Sequence, residues 1–257
     1  MVIKDDEVLY HIQMKKGDVG RYVFLPGDPG RCELIASHFD NPQLISYHRE
    51  YKTYTGTLLG EKVSVTSTGI GCPSTAIAVE ELVMLGADTF IRVGTSGGMQ
   101  PYQRPGDLAI VTAAIRDEGT TLHYMPVEFP AVANIEVLTA LRDAAVKLNK
   151  PHHLGISQSK DSFYGQHQPD RMPVADHLLE RWKAWKMGGA ICSEMESAAL
   201  FILSSILRVR AGGIMLIAAN QEGPDRSVVH DLTDLLETSI AAVKILIEKD
   251  RLGATAG

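Results

Sequence analysis

Cysteine is scarce in this chain and follows no pattern. Cys32, Cys72 and Cys192 are odd in number and widely spaced, without a Cys-x-x-Cys pair. No disulfide framework is expected from them, and they read as reduced thiols in a cytosolic protein. Long apolar runs are missing too. Stretches such as Ile214–Ala219 fall far short of the roughly 18–20 residues that span a bilayer. The first residues, Met-Val-Ile-Lys-Asp-Asp-Glu, lack the basic-then-apolar layout of a signal peptide. There is no Arg/Lys block and no alternation of aromatic with basic residues. With a net charge of −6, nothing points to nucleic acid or another polyanion as a partner. Internal repeats, linkers and low-complexity tracts are likewise missing, apart from the small-residue tail Gly253–Gly257. At 257 residues the chain suits one large α/β domain, taken as 1–257.

What is present centres on Phe90–Gly98, Phe-Ile-Arg-Val-Gly-Thr-Ser-Gly-Gly. An apolar run ending in a glycine cluster reads as a buried strand that passes into an open turn. Arg92 is the anomaly in that strand. Its charge needs either a carboxylate or a bound anion, and this stretch alone leaves both readings open. Thr95 and the glycines supply a hydroxyl and backbone N–H groups where an anion could sit.

Arg21–Pro26 is a strand candidate that runs into Leu25-Pro26-Gly27-Asp28-Pro29-Gly30-Arg31. Asp28 is placed as a helix N-cap with Pro29 at the first helical position, and the helix reaches about Phe39. Arg31 in its first turn opposes the helix dipole, which either a bound anion or simple solvation would accommodate. Gln43–Tyr47 is a short strand, and Thr53–Leu58 with Lys62–Thr66 form a hairpin. A second strand-to-glycine turn, Ser67-Thr68-Gly69-Ile70-Gly71-Cys72-Pro73-Ser74, opens a largely buried helix from Ser74 to about Leu85. The repeated strand–helix–strand order implies parallel pairing and right-handed crossovers.

Further along, Asp107–Thr112 and His153–Gln158 read as strands and Asn134–Leu148 as an amphipathic helix. Thr120–Val132, with His123 and Tyr124, is expected to be a loop over a site or interface. Lys160–Pro173 fits neither period and reads as a lid or pocket wall. A helix is expected around Asp176–Met187, another from near Glu194, and an apolar strand over Gly212–Ala219. The last helix carries Leu232, Leu236, Ile240, Val243 and Ile247 on one face. His152 and His153 point to opposite faces of their strand, which favours a surface/core pair over a metal site. Glu194 and Glu196, in Glu-Met-Glu-Ser-Ala-Ala, stand two apart at a helix start and so take different roles. Dipole complementarity is one explanation for them. The apolar turns that follow suggest instead a buried carboxylate in need of a donor, such as Arg92 or sugar hydroxyls.

Six motifs in order, Pro-Gly-Asp-Pro-Gly-Arg, His-Arg-Glu, Ser-Thr-Gly-Ile-Gly-x-Pro-Ser, Arg-Val-Gly-Thr-Ser-Gly, Phe-Tyr-Gly-Gln and Glu-Met-Glu-Ser-Ala, resemble the nucleoside phosphorylase family. The likeness runs from about His11 to the final helix and is strongest to the hexameric bacterial branch that acts on uridine. It implies a three-layer α/β sandwich with a mixed, partly barrel-like central sheet. The implied reaction is reversible attack of inorganic phosphate on C1′ of uridine, giving uracil and ribose 1-phosphate in pyrimidine salvage. Such a nucleophile calls for fixed positive charge and N–H donors.

By this resemblance Gly27, Arg31, Arg92 and Thr95 hold phosphate, with Arg49 from the neighbouring subunit. Met195 and Glu196 grip the ribose 2′- and 3′-hydroxyls, and His11 of the partner reaches the 5′-hydroxyl. The assembly is then a homodimer at minimum and a homohexamer, a trimer of dimers, by likeness. No cofactor or catalytic metal is implied. Glu50, Ile70 and Ser74 match a monovalent cation (K+) position at the dimer interface, although Glu50 in an ordinary ion pair fits equally.

The purine enzymes of the family carry an Asp just after the last sheet strand. Ile217-Ala218-Ala219-Asn220-Gln221 has none, which argues against a purine. Gln166 matches the glutamine that pairs with the uracil O2/N3 edge, and Phe163 is expected to pack on the base. The pattern departs from the family at Gln168, where an arginine is usual. Either Gln168 with a water, or Arg171, is expected to replace it. A water-using nucleosidase is disfavoured by Arg31, Arg49 and Arg92 together. A non-catalytic nucleoside-binding protein is disfavoured by Arg92 with Glu196.

Overall fold

In a computed structural model, residues 4–255 of the chain are described. The order is β1 (Tyr22–Leu25), α1 (Gly30–Ala36), β2 (Asp40–His48), β3 (Tyr51–Leu58) and β4 (Glu61–Thr66). Then come α2 (Cys72–Met84), β5 (Thr89–Gly98), β6 (Leu108–Asp117), β7 (Ala131–Val132), α3 (Ile135–Lys147) and β8 (His152–Lys160). The chain continues through α4 (Phe163–His167), α5 (Ala175–Met187), β9 (Cys192–Glu194), α6 (Ser197–Leu207), β10 (Arg210–Asn220) and α7 (Thr233–Thr255).

The strands form one mixed sheet. β5 pairs in parallel with β10, β10 antiparallel with β6, β6 in parallel with β8, and β8 in parallel with β9. β9 returns antiparallel to β5, so these five strands close on themselves as a barrel. From β5 the sheet also extends outward through β1, β4, β3 and β2. Side chains alternate across it. Val23, Leu25 and Phe90 join an apolar cluster with Val79, Leu82 and Phe201 of α2 and α6. Tyr22, Phe24 and Ile91 face the opposite cluster, with Ile35, Leu141 and Val243 of α1, α3 and α7. Helices therefore cover both faces, the architecture that the resemblance implied. Leu200, Phe201, Ile202 and Leu203 of α6 are all fully buried. At about 1.5–3 kcal/mol for each large apolar side chain, this helix is anchored by burial rather than by propensity.

Three local expectations are corrected. The glycines after Val93 do not end the strand; β5 runs on to Gly98. Gly94 lies opposite Met215 and Gly98 opposite Asn220 on β10. A Cβ on Gly94 would lie 2.5 Å from Met215 Sδ, and one on Gly98 would lie 2.9 Å from Asn220 Cγ. Glycine here makes room for a neighbouring strand's side chain. Asp28 is not the N-cap of α1, which starts at Gly30 after Pro29, but its Oδ1 accepts the Gly30 N–H at 2.8 Å. The irregular stretch after Lys160 contains α4 and a 3-10 turn at Pro169–Arg171.

Elsewhere the histidine pair is half-buried on both faces. His153 Nε2 lies 2.8 Å from Asp107 Oδ2, and His152 Nδ1 lies 2.9 Å from the Lys150 carbonyl. The terminal helix buries Leu236, Ile240, Val243 and Ile247 as its spacing predicts. No helix among the described residues is long and apolar enough to cross a membrane.

Candidate active site

The strand register sets the site. Leu25, the last residue of β1, pairs with Arg92 on β5. The turn after β1 and the charged residue of β5 are thus brought side by side at one end of a cavity of about 720 Å³. Gly27 and Arg31 line it from the turn and α1, and Arg92 and Thr95 line it from β5. Arg31 Nη2 donates to Thr95 Oγ1 at 3.4 Å. Arg92 is 4% exposed; its Nη1 donates to the Leu25 carbonyl at 3.3 Å and its Nη2 to Glu196 Oε2. Its Nε has no hydrogen-bond partner among the described residues. Of the two sequence readings of Arg92, the carboxylate pairing is the one observed, and the residue also lines the cavity. Burial, and after it the Arg92 charge, hold the Arg31 guanidinium below its ordinary pKa. Two guanidiniums share this end with the Glu196 and Asp28 carboxylates, and the N–H groups of the guanidiniums are donors suited to an anion.

The two carboxylates of Glu-Met-Glu do take different roles. Glu194 ends β9 and turns inward to the start of α6. Its Oε2 accepts the Glu196 and Ser197 N–H groups at 2.8 Å each, and its Oε1 accepts the hydroxyls of Ser157 and Ser159. It satisfies helix donors that would otherwise be orphaned, so α6 begins three residues later than the sequence suggested. Glu196 Oε1 accepts the Gly71 N–H at 2.8 Å, and its Oε2 faces Arg92 and the Met195 N–H at 3.3 Å. A carboxylate has about four acceptor positions, so Glu196 retains capacity for a hydroxyl from the cavity. Met195 lines the same wall.

At the far end the lining comes from Phe163, His167, Ser193 and Lys160. The Phe163 and His167 rings lie 4.1 Å apart at 36°. His167 is held below its ordinary pKa by burial and then by the Lys160 charge. Gln166 does not line the cavity, but its Oε1 lies 2.6 Å from the Ser193 hydroxyl, which does. Ser193 Oγ also lies 2.7 Å from Gln158 Oε1 and accepts from Lys160 Nζ at 2.6 Å.

Gln168 and Arg171 are corrected: neither lines the cavity. The 3-10 turn after α4 carries both to the surface, where the Arg171 guanidinium lies 5.8 Å from the Tyr164 ring centroid. His123 and Tyr124 also stay outside the lining. Their segment is pinned by Arg116, which donates to the carbonyls of Thr121, Met125, Pro126 and Phe129.

His11 and Arg49 lie outside the cavity of their own chain and form a second cluster. His11 Nδ1 is 2.5 Å from Glu81 Oε1, and the His11 carbonyl lies 2.8 Å from His48 Nδ1. Arg49 is exposed, with φ +56° and its guanidinium 5.8 Å from the Tyr10 ring centroid. Of the candidate cation residues, Ile70 lines the cavity, and Glu50 and Ser74 flank Gly69. A Cβ there would lie 2.8 Å from Glu50 Cγ and 3.4 Å from Ser74 Oγ.

Sequence reasoning missed Lys160, Ser193 and His167. The lysine opened the irregular Lys160–Pro173 stretch, read as a lid or pocket wall, and that position was its one signal.

Known proteins similar to this chain indicate its family. A model of the phosphorylase superfamily matches residues 21–248. The chain is similar to a uridine phosphorylase of Treponema pallidum, with 54% identity over 245 residues, 94% of this chain and 95% of the relative. It is 45% identical to a uridine phosphorylase of Thermococcus kodakarensis over 98% of this chain and 92% of the relative. With a uridine phosphorylase of Escherichia coli it shares 39% identity over 95% of this chain and 97% of the relative.

Proposed function

The chain belongs to the phosphorylase superfamily, and from that membership and the site we propose that it cleaves uridine with inorganic phosphate. The products are uracil and ribose 1-phosphate. The observation that carries the reading is one cavity with two adjacent arginines and a buried carboxylate at one end and Phe163, His167, Lys160 and Ser193 at the other, with Gln166 held behind Ser193.

Gly27, Arg31, Arg92 and Thr95 hold phosphate, joined by Arg49 of a neighbouring subunit. Glu196 and the Met195 backbone hold the ribose 2′- and 3′-hydroxyls, and His11 of the neighbour reaches the 5′-hydroxyl. The clustering of His11 with Arg49 outside their own cavity supports this exchange across an interface. Phe163 packs on the base and Gln166 reads its O2/N3 edge. As the bond from C1′ to the base breaks, the ribose acquires oxocarbenium character, as in glycoside hydrolysis. The phosphate held by the arginines supplies the compensating negative charge and the attacking oxygen. No protein nucleophile is used. Because Glu196 is already fixed by Gly71 and Arg92, it meets the ribose without reorganising.

The working unit is a homodimer, and a trimer of such dimers makes a hexamer. The chain 1–257 acts as one domain, a reading that its continuous sheet supports. Glu50, Ser74 and the Ile70 backbone offer oxygen donors of the kind hard cations take, which supports a monovalent cation at the interface. Three buried free cysteines suit a reducing cytoplasm, where the reaction serves pyrimidine salvage.

The test is uracil release from uridine, followed by ultraviolet absorbance with and without phosphate, and with inosine in parallel. Phosphate-dependent release from uridine alone is expected. Release without phosphate makes the protein a hydrolase, and release from inosine removes the pyrimidine assignment.

A further inference from the structure

Lys160 ends β8 with 5% of its surface exposed. Its ammonium carries three N–H donors, yet among the described residues it makes a single hydrogen bond, to Ser193 Oγ at 2.6 Å. Among the described residues it enters no ion pair within 4.0 Å. Glu194 and Glu196 act on it only at longer range, and burial outweighs them and lowers its pKa. An ammonium in such a place costs several kcal/mol unless something pairs with it. Its two remaining donors belong to a residue that lines the cavity.

The neighbours say which end it serves. Nζ is 6.0 Å from the Phe163 ring centroid, and Ser193, its one partner, also contacts Gln166. Both belong to the base end. Gln168 and Arg171, from which sequence reading expected help for the departing base, are on the surface.

We propose that Lys160 is a catalytic residue that donates a hydrogen bond to a carbonyl oxygen of the pyrimidine and stabilises the charge the base acquires on leaving. The proposal rests on the uridine reading above. In the step, a phosphate oxygen forms a bond to C1′ while the bond from C1′ to N1 breaks, its electron pair passing to the base. That pair is delocalised onto the carbonyl oxygens, one of which faces the ammonium. Lys160 keeps its protons. Uracil regains a proton at N1 through solvent, balanced by the proton that monohydrogen phosphate brought. Ser193 and Gln158 fix the lysine's position from behind.

The experiment compares wild type, Lys160→Met and Lys160→Arg in single-turnover phosphorolysis of uridine and of 5-nitrouridine, whose more acidic base leaves as a more stable anion. Lys160→Met is expected to slow uridine cleavage about 10²-fold, the effect of removing one preorganised donor at a developing anion. With 5-nitrouridine the loss shrinks to about tenfold or less, because less stabilisation is needed. Lys160→Arg recovers part of the uridine rate. Equal losses on both nucleosides, or no recovery with arginine, overturn the assignment and leave a structural lysine. Thermal unfolding is read alongside, and Lys160→Gln replaces the methionine variant if that one does not fold. An active wild type with an equally active Lys160→Met removes Lys160 from the chemistry alone. A wild type that leaves uridine intact removes both the reading and the proposal.

Discussion

At one end of the cavity Arg92 and Thr95 stand on β5, and Glu196 lies just before the buried helix α6. At the other, Phe163 and Gln166 sit in a helix of five residues and Phe163 is 50% exposed. The first end is fixed by the sheet. Arg92 pairs in register with Leu25, donates to its carbonyl, and is locked to Glu196, which is itself held by the Gly71 N–H. The second end hangs on side chains, with Ser193 joining Lys160, Gln158 and Gln166. On the proposed reading, the chemistry common to every nucleoside, phosphate and ribose, falls to backbone-anchored residues of the core. On the same reading, the part that distinguishes one base from another is shared between the short segment α4, which can change without disturbing the sheet, and side chains at the ends of β8 and β9.

The sharpest way to break this contrast is at the anchored end. Arg92→Met and Glu196→Gln should each lower kcat/KM by about 10²–10³-fold whatever the base, since both act where charge develops. Arg92→Met should also lower stability by about 3–5 kcal/mol, because Glu196 is left buried and unpaired. Steady-state kinetics with uridine and denaturant unfolding check both. Full turnover in Glu196→Gln would show that the ribose is held elsewhere.

A milder change is expected at the flexible end. Gln166→Ala removes an amide that touches the cavity wall through Ser193. Its effect should fall on the nucleoside alone, with KM for uridine rising about tenfold, the cost of one lost hydrogen bond of roughly 1–1.5 kcal/mol. The KM for phosphate should stay as it is. If the phosphate KM rises equally, the two ends are coupled and the contrast drawn above fails.

The same contrast explains what could be read from sequence. The anchored end was legible because its demands are local. Arginine inside an apolar strand, glycines where backbones approach, and two carboxylates at a buried helix start all break the surrounding pattern visibly. Even there the pattern misled at Gly94 and Gly98. They looked like an interruption, whereas they make room for Met215 and Asn220 on a strand more than 100 residues away. The closed barrel was legible only through family likeness, because β9 is three residues long and carries no periodic signal. Lys160 was lost for a related reason. A lysine at a strand end is normally solvated, and only the packing of β8 between β6 and β9 buries it. Gln168 and Arg171 were favoured by the family resemblance, which expects an arginine just after Gln166, and the turn at Pro169 sends them outward.

A control away from both ends sharpens the comparison with the smallest effect. Arg210 Nη1 and Nη2 clasp the two oxygens of Asp250 at 2.9 and 2.6 Å, and Tyr22 Oη donates to Asp250 at 2.5 Å. The Arg210 hydrogen bond, aided by Tyr22 and opposed by burial, holds the Asp250 carboxyl below its ordinary pKa. The folded value therefore lies below the unfolded one. The stabilisation is present in full above the unfolded pKa of about 3.9 and is lost as the pH falls through the folded pKa. Asp250→Asn should lower stability at neutral pH by about 1 kcal/mol, or ~2–4 °C in Tm, with Arg210 still bound to Glu136 and Thr89. The deficit should begin to shrink as the pH drops below the unfolded pKa and close as it falls through the lower folded pKa, where native Asp250 takes up its proton. Neither KM should move, because the cluster touches neither end of the cavity. A deficit that persists unchanged in acid would mean that Asp250 acts through packing and not through its charge.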